Sequence, residues 1–452
     1  MKIIVCGAGH VGHSIVSYLI LGNNDIIVID DSSEKLNALA KEFDVQPILG
    51  KASHPEVLEK AGAENADMLI AVTDEDEVNI VACTIASALF NIPKKIARVD
   101  NQDFLNPLWA GLFNEKHIPI DLVVSPAAEI AKATYALLKI PNMSMVAQML
   151  HHQVYVLGFK YFTSQGHQNL NVRQVNHMVS DTEVSVFCVI HDGESFIPTE
   201  DYTLCQNDMI YFICQSSDVD TVIKELGLET SPIENLVIFG GNNVSQYLAA
   251  DLEKDDNILN CRIIENNSEK AYYLAKKLQN TAVIQGDLFS DVILEEAGLE
   301  TCDAALAVLP QDKDNLLISL ICRQHHVPLT LSLVNSASYN SLLENMGHSI
   351  LIDGSAVIIS SMLQEFRKAR LRNAYSLGYN LGEVWEISLS DDNLVIGQKL
   401  SQIELPASAC ICAIYRNGKV LFPDEQTVFE PHDDIVLYVG AKGIKKVEKL
   451  FA

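Results

Sequence analysis

The chain has 452 residues, 48% of them apolar, and its 59 acidic and 32 basic residues give a formal net charge of −27. That length fits roughly three domains of about 150 residues each. The negative charge repels phosphate backbones, so nucleic acid is excluded as a partner. Apolar stretches fall short of the roughly 20 residues that a membrane-spanning helix needs. The first residues run directly into a predicted strand, so we expect a cytoplasmic protein.

Residues 2–31, KIIVCGAGHVGHSIVSYLILGNNDIIVIDD, predict a strand, a glycine-rich turn, an amphipathic helix and a second strand. Gly7 permits the tight turn, Gly9 lets the backbone approach a pyrophosphate, and Gly12 lets the helix pack closely on the strand. Asp30, 18 residues after Gly12 (30 − 12), is placed to accept both ribose hydroxyls and disfavours a 2′-phosphate. We therefore predict an NAD(H) site, with ATP or ADP as alternatives that share the adenosine end.

Strands and helices continue to alternate to about residue 100, which predicts a parallel, doubly wound sheet. The whole pattern then recurs about 235 residues later. Gly286 falls on Gly50 and Asn315 on Asn79, both at an offset of 236. A nearly constant offset indicates an internal duplication.

Short alternating strands follow each sheet and predict a small α+β module. Gly193 matches Gly418 at an offset of 225, so these modules are duplicated as well. A helical segment precedes each module, and the basic stretch FRKARLR (366–372) continues the second one at helical spacing. We interpret that stretch as a solvated helix face, with a docking patch for an acidic partner as the alternative.

The predicted fold class is therefore α/β, with two Rossmann-like doubly wound parallel-sheet domains that are each followed by a small α+β domain. The predicted boundaries are 1–125 for the first sheet domain, 126–229 for its helix and small domain, 233–353 for the second sheet domain, and 354–452 for the last helix and small domain.

The ten cysteines contain no Cys-x-x-Cys pair and no His/Cys spacing typical of zinc sites. Several lie in apolar, strand-like runs. We predict that they are reduced core residues and that the chain has no metal site.

Together these motifs resemble the bacterial Trk-type potassium uptake regulators, which are built of two tandem RCK units. The resemblance covers essentially the whole chain, including IIVCGAGHVG with Asp30, ILGKASHPEVLEKAGAENADMLIAVTDEDEVN, and the final module through FEPHDDIVLYVG. It implies a cytoplasmic, peripheral regulatory subunit that assembles as a tetramer beneath a membrane potassium transporter. It further implies that nucleotide binding gates that transporter allosterically.

The resemblance also implies a nucleotide-binding set in the first unit. These residues are Gly7, Ala8, Gly9, His10, Val11, Gly12, Asp30, Gly50, Thr73, Asp74, Asn79 and Arg98. The stretch from Asp74 to Asn79 is expected near the cleft, with a merely solvated acidic loop as the alternative. His10 and His13 are expected to be exposed to solvent and not catalytic.

The second unit departs from the pattern. Asn242 and Ser245 replace the second and third glycines, while Leu309 and Leu333 stand where the first unit has threonine and arginine. A side chain at position 242 intrudes where a pyrophosphate must approach the backbone. We therefore expect weak or absent dinucleotide binding at a degenerate site comprising Gly240, Asn242, Val244 and Glu265.

The small modules depart from the family as well. Asn207 and His432 stand where the family has a glycine before an aspartate. We therefore expect that turn to adopt another conformation, and we assign no ligand to either small module.

Two other function classes compete with a regulator. An NAD-dependent dehydrogenase would need a substrate pocket with an acid/base group, usually histidine or lysine, and an arginine that holds an anion. The candidate histidines are scattered along the chain: His117, His151, His152, His167, His177, His325 and His326. A purely structural scaffold is disfavoured by the intact glycine turn. We predict that the chain is not an enzyme.

Overall fold

The computed structural model describes all residues except 23, 110, 163–169, 178–182, 229–230, 256–259, 337–348, 368–370 and 452. It contains two six-stranded parallel sheets and two five-stranded antiparallel sheets, which alternate along the chain. This confirms the predicted fold class. The chain forms two compact units, residues 1–129 and 130–452. Among the helices described, none combines the length and apolarity required to cross a membrane.

The first unit is built on a parallel sheet with the strand order β3-β2-β1-β4-β5-β6. Its strands are β1 (Lys2–Cys6), β2 (Asp25–Asp30), β3 (Gln46–Leu49), β4 (Met68–Ala71), β5 (Lys94–Arg98) and β6 (Leu122–Val124). Its helices are α1 (His10–Ile20), α2 (Ser33–Glu42), α3 (Pro55–Lys60) and α4 (Asp76–Phe90). Ile3, Ile4 and Val5 are fully buried because helices cover both faces of a parallel sheet.

The acidic stretch from Asp74 to Asn79 lies mostly in a helix and is not a loop over its whole length. Helix α4 already begins at Asp76, so only Asp74 and Glu75 remain outside it. Asp76 and Glu77 lie in the first helical turn, where the helix dipole favours negative charge. The Asp76 carboxylate also accepts the backbone N–H of Asp100 at 3.1 Å, which ties the start of α4 to the loop after β5.

The second unit begins within helix α5 (Pro126–Lys139) and contains the second parallel sheet, in the equivalent order β14-β13-β12-β15-β16-β17. Its strands are β12 (Asn235–Phe239), β13 (Asn260–Glu265), β14 (Ala282–Gln285), β15 (Ala304–Ala307), β16 (Leu329–Val334) and β17 (Ser349–Asp353). Its helices are α8 (Asn243–Leu252), α9 (Ser268–Lys277), α10 (Asp291–Glu296) and α11 (Asp312–Gln324). The duplicated sequence therefore folds into a duplicated topology.

Both small domains lie in the second unit and share one topology. The first contains β7 (Met145–Met149), β8 (Val154–Lys160), α6 (Val172–Asn176), β9 (Val184–His191), β10 (Glu194–Phe196), β11 (Met209–Gln215) and α7 (Val219–Glu225). The second contains α12 (Gly354–Phe366), β18 (Leu371–Ser376), β19 (Glu383–Ser388), β20 (Ala409–Arg416), β21 (Lys419–Leu421), β22 (Asp434–Val439) and α13 (Ile444–Phe451). The orders β10-β9-β11-β8-β7 and β18-β19-β22-β20-β21 are the same order read from opposite edges.

The two small domains pack against each other through one apolar core, which contains Phe187 and Tyr438. The two aromatic rings lie 5.6 Å apart. Arg372 of β18 donates to Asp434 at 2.9 Å, and His151 contacts the same carboxylate at 3.1 Å. The duplicated modules therefore form an intrachain pair.

Three local predictions need correction. Helix α12 ends at Phe366, and Arg372 lies in a strand, so the basic stretch does not continue as a helix; residues 368–370 lie outside the described part. Asn207 and His432 have φ of +72° and +67°, so both adopt the left-handed conformation that a glycine would adopt there. Of the ten free cysteines, eight are buried as predicted, Cys410 is half-buried, and Cys205 is exposed.

Candidate functional site

An open cleft lies at the carboxyl edge of the first parallel sheet, beside the neighbouring strands β1 and β4. The chain leaves β1 toward β2 on one side and later reaches β4 on the other. Ligands of open α/β sheets bind at such switch points. The carboxyl ends of β1 to β4 and the segments that follow them supply the lining residues: Gly7, Gly9, Ile29, Asp30, Asp31, Lys35, Gly50, Lys51, Ala52, Val72, Thr73, Asp74, Glu75 and Val78.

The three glycines of the first turn have different physical roles. Gly7 has φ of +112°, and a Cβ there would lie 2.8 Å from the backbone oxygen of Val72. A Cβ on Gly12 would lie 1.9 Å from the backbone oxygen of Gly7, so both residues are fixed by the protein's own packing. Gly9 is the N-cap of helix α1, and a Cβ there would meet nothing within 4 Å. The fold therefore leaves space beside Gly9, at a helix N-terminus whose amides attract phosphate.

Asp30 ends β2 at the rim of the cleft and is half-exposed. One carboxylate oxygen accepts the backbone N–H of Ala8 at 2.6 Å, and the other accepts that of Ser32 at 2.8 Å. These two bonds fix the carboxylate beside the glycine turn. Each oxygen keeps a further lone pair for a hydroxyl donor.

A polar network supports the other wall of the cleft. The fully buried amide of Asn79 accepts the backbone N–H of Thr73 at 2.9 Å and donates to the backbone oxygen of Arg98 at 3.0 Å. Arg98 donates to Asp74 at 2.9 Å and to Asp100 at 2.8 Å. Burial lowers the pKa of the guanidinium, but these two carboxylates outweigh burial and raise that pKa overall.

The predicted residues divide into two groups. Six of them line the cleft: Gly7, Gly9, Asp30, Gly50, Thr73 and Asp74. The lining residues do not include Ala8, His10, Val11, Gly12, Asn79 and Arg98. Within this second group, Ala8, Gly12, Asn79 and Arg98 shape the wall through the contacts described above, while His10 is exposed at the start of α1.

Two cleft-lining lysines were missed from the sequence. Lys35 lies in the first turn of α2, and Lys51 follows Gly50 after β3. Both are exposed, so their ammonium groups are available to an anion. Their positions just after the carboxyl ends of β2 and β3 are the sequence signal that could have identified them. An accessible carboxylate, a helix N-terminus and two lysines are groups that can hold the ribose and phosphates of a nucleotide.

The second parallel sheet has the same turn, but side chains fill it. Gly240 keeps the positive φ, at +104°. Asn242 is the N-cap of α8: its side chain accepts the backbone N–H of Ser245 at 3.2 Å and donates to the backbone oxygen of Val308. Ser245 in turn donates its hydroxyl to the backbone oxygen of Gly240. Protein groups here occupy the place that the first turn leaves open beside Gly9.

The remaining second-copy positions are apolar or buried. Glu265 accepts the backbone N–H of Gly241 at 2.6 Å, as Asp30 does with Ala8, yet it is only 7% exposed. Asn315 bonds the backbone of Leu309 and Leu333, which establishes them as the equivalents of the first-copy threonine and arginine. Both leucines are buried, so the polar wall of the cleft is lost.

Histidines do not form an acid/base site in this cleft. The cleft-lining residues just named, all within the described part of residues 7–78, contain no histidine. His151 lies at the small-domain pair, and His325 follows α11 beside Glu300 at 3.4 Å. His167 lies outside the described residues.

Comparison with known families gives matches along most of the chain. The TrkA-N domain model matches residues 3–126 and 236–353, and the TrkA-C domain model matches residues 384–452. The chain is 32% identical to the Trk system potassium uptake protein TrkA of Azorhizobium caulinodans, covering 100% of this chain and 98% of that protein. It is 31% identical to the protein of the same name from Halomonas elongata, again over 100% and 98% of the two chains.

Solved structures share the tandem fold at low sequence identity. The GsuK channel bound to NAD aligns with a TM-score of 0.63 at 16% identity, covering 100% of this chain and 78% of that one. The crystal structure of the GsuK RCK domain has a TM-score of 0.63 at 15% identity, covering 100% and 94%. GsuK bound to ADP aligns with a TM-score of 0.50 at 13% identity, covering 81% and 70%.

Proposed function

Because the chain belongs to the Trk system potassium uptake protein TrkA family, we propose that it is a nucleotide-sensing regulatory subunit of a membrane potassium transporter. It acts at the cytoplasmic face of the membrane, where it associates as a tetramer with its transporter partner. NAD(H) is the expected ligand of the first parallel-sheet domain, and ATP or ADP are alternatives. The GsuK structures that share this fold are named as bound to NAD and to ADP.

The observation that carries this proposal is the space beside Gly9. A Cβ at Gly9 would meet nothing within 4 Å, although Gly7 and Gly12 on either side are tightly packed. Packing therefore gives no reason for a glycine at position 9. A pyrophosphate at the start of α1 supplies one, since it must approach the backbone closely.

Different residues of the cleft contact different parts of the nucleotide. The Asp30 carboxylate accepts hydrogen bonds from the ribose hydroxyls, and its charge repels a 2′-phosphate, which favours NAD(H) over NADP(H). The amides at the start of α1 and the ammonium groups of Lys35 and Lys51 attract the phosphates. Thr73 and Asp74, held by Asn79 and Arg98, form the opposite wall.

Regulation follows from differential binding. A ligand shifts a conformational equilibrium only to the extent that it binds one arrangement more tightly than another. The lining residues of the cleft come from the ends of four strands and the segments that follow them. A bound nucleotide therefore favours the conformation in which all four segments contact it at once. The transporter responds to the resulting shift in population.

We test the proposal by isothermal titration of the purified chain with NADH, NAD⁺ and ATP in separate runs, recording both stoichiometry and affinity. We expect one site per chain. Asp30→Ala should weaken binding by about 100-fold, because two charge-assisted hydrogen bonds contribute about 3 kcal/mol. The same variant should abolish the nucleotide dependence of potassium transport.

Glu265→Ala is the matched control, because Glu265 makes the same backbone contact in the second copy and is buried. It should leave nucleotide affinity and stoichiometry unchanged. Two sites per chain, or equal losses in the two variants, would overturn the assignment of one sensing domain. Nucleotide-dependent transport that survives Asp30→Ala would overturn the regulatory role of the cleft. Light scattering of the same sample tests the tetramer.

A non-enzymatic role is part of the proposal. Hydride transfer requires an acid/base group near the nicotinamide. The cleft has aspartates, a glutamate and lysines that can act as acid or base, so this part of the proposal rests on the family, whose relatives are named potassium uptake proteins. Consumption of NADH with small acids or aldehydes would overturn this part of the proposal.

A further inference from the structure

Three different metal-binding side chains meet in the first small domain. His191 ends strand β9, while Cys205 and Asp208 flank the turn that precedes β11. One donor atom from each of the three lies within 4.8 Å of the other two, and His191 Nδ1 is 2.6 Å from Asp208 Oδ1. Imidazole, thiolate and carboxylate are the groups that bind zinc in proteins. The nucleotide function uses none of them.

The Asp208 carboxylate is held in place by neighbouring groups. Its Oδ2 accepts the Cys205 backbone N–H at 2.8 Å and the Tyr202 hydroxyl at 3.1 Å, which leaves Oδ1 facing His191. Asp208 is 1% exposed, whereas Cys205 is exposed at the surface. Hydrogen bonds of this kind orient metal ligands, and the open side admits an ion.

The second small domain has a cation at the same place. Arg416, Glu430 and Asp433 stand 225 positions after His191, Cys205 and Asp208 (416 − 191, 430 − 205, 433 − 208). The Arg416 guanidinium donates to Asp433 at 2.7 Å and to Glu430 at 2.6 Å.

The turn itself is the same in both copies. The Glu430 backbone N–H donates to Asp433 at 2.9 Å, just as the Cys205 N–H donates to Asp208. The first copy therefore keeps the buried carboxylate and replaces a permanent cation by an imidazole, and a glutamate by a thiol.

We propose that this cluster is a site for Zn²⁺, with His191, Cys205 and Asp208 as ligands. The ion takes the place of the guanidinium. Zinc bonds of about 2.0–2.3 Å place tetrahedral ligand atoms roughly 3.3–3.7 Å apart, so the accessible His191 and Cys205 side chains move by about 1 Å to close around it. A water completes the coordination, while Asp192, whose Oδ2 is 3.5 Å from His191 Nε2, holds the far side of the imidazole. The Cys205 thiol releases its proton on binding.

The experiment titrates Zn²⁺ into the chelator-treated, reduced full chain against a competing chromophoric chelator. We expect the chain to bind one equivalent of zinc. Cys205→Ser and His191→Arg should each lower the zinc affinity by at least 100-fold. His191→Arg recreates the arrangement of the second small domain, so it removes the ligand while keeping a cation beside Asp208. Co²⁺ in place of Zn²⁺ should give a thiolate-to-cobalt absorption band that Cys205→Ser abolishes.

Two controls separate the metal site from folding and from the nucleotide cleft. Cys410→Ser changes the half-buried thiol at the small-domain core and should retain the zinc equivalent. All three variants should bind nucleotide like the parent chain, because the cleft lies in residues 1–129. Failure to bind zinc at micromolar concentration, or equal binding by the parent chain, Cys205→Ser and His191→Arg, would overturn the proposal. Neither result bears on nucleotide sensing.

Discussion

The two parallel-sheet domains have the same strand order and the same turn after their first strand, but the N-terminus of the following helix is uncapped in the first and capped by a side chain in the second. In the first domain Gly9 leaves the helix N-terminus open, and Asp30 stays accessible at the rim. In the second, Asn242 caps the helix and Glu265 is buried. A side-chain cap and a bound phosphate satisfy the same backbone amides. The second domain therefore satisfies with its own side chain the amides that we propose bind a phosphate in the first domain.

The largest effect should come from transferring that cap to the first domain. Gly9→Asn should weaken nucleotide binding by more than about 100-fold, roughly 3 kcal/mol, because the side chain fills the phosphate space and caps α1. The fold should survive, since a Cβ at this position meets nothing within 4 Å. Calorimetric titration and thermal unfolding measure the two quantities. Gly9→Ala is the control with a shorter side chain and should lose less affinity; unchanged affinity in Gly9→Asn would break the comparison.

The next effect concerns the glycine that both domains keep. Gly7→Ala should destabilise its domain by about 3 kcal/mol, since a positive φ and a backbone clash combine there. Gly240→Ala should cost about 1–2 kcal/mol, because its Cβ would meet the flexible end of Leu309 at 2.9 Å and the Val308 oxygen only at 3.5 Å. Urea unfolding of both variants compares the two costs. A larger loss in Gly240→Ala would contradict this account of the turns.

Much of this comparison could be predicted from the sequence. The spacing from Gly12 to Asp30 fixes a local strand-turn-helix-strand unit, so the turn and its acid follow from short-range geometry. The substitutions Asn242 and Ser245 likewise lie inside the motif. The Asn242 side chain caps α8 by accepting the Ser245 backbone N–H, and it also donates to the Val308 oxygen. Because Val308 follows β15, more than 60 residues further along the chain, only the structure could show this arrangement.

The features that could not be predicted from the sequence depend on contacts between segments that are distant along the chain. Lys35 and Lys51 belong to no motif, and they join the cleft only because strands β2 and β3 pair beside β1. The acidic residues after β4 are typical of a loop, yet Asp76 already begins α4 and accepts the Asp100 backbone N–H across the sheet edge. Cys205 is predicted with the other cysteines as a core residue, although Gln206, Asn207 and Asp208 follow it, and the turn before β11 exposes it.

A smaller effect should follow from removing the cap of the second domain. Asn242→Ala should lower the free energy of unfolding by about 1 kcal/mol, through the lost cap and the unpaired Val308 oxygen, and leave nucleotide affinity unchanged. Asn242→Ser keeps an acceptor for the Ser245 backbone N–H and should cost less. Chemical unfolding and titration measure both properties. Nucleotide affinity that changed in Asn242→Ala would mean that the second domain contributes to binding.

The smallest effect is a pH-dependent contribution from Glu253, after the end of α8. Burial raises the pKa of this carboxyl, but backbone N–H donors from Gln279, Asn280 and Thr281 outweigh burial and lower it from 4.5. A lowered pKa means that the folded state binds the proton less tightly than the unfolded state. The stabilisation is therefore complete above about pH 4.5 and is lost as the pH falls through the folded-state pKa.

Glu253→Gln should destabilise the chain by less than about 1 kcal/mol at pH 7, because the site is partly exposed and the amide oxygen can still accept one bond. The difference from the parent chain should shrink below pH 4.5. Asp251→Asn, which breaks only an exposed pair with Lys254, is the matched control and should have no measurable effect. If the loss of unfolding free energy in Glu253→Gln became larger as the pH fell, the inferred direction of the pKa shift would be wrong.

In the first domain the corresponding residue is Ile20 (253 − 233). The Glu253 carboxylate is therefore a further internal hydrogen-bond acceptor that only the second of the two domains has at this position.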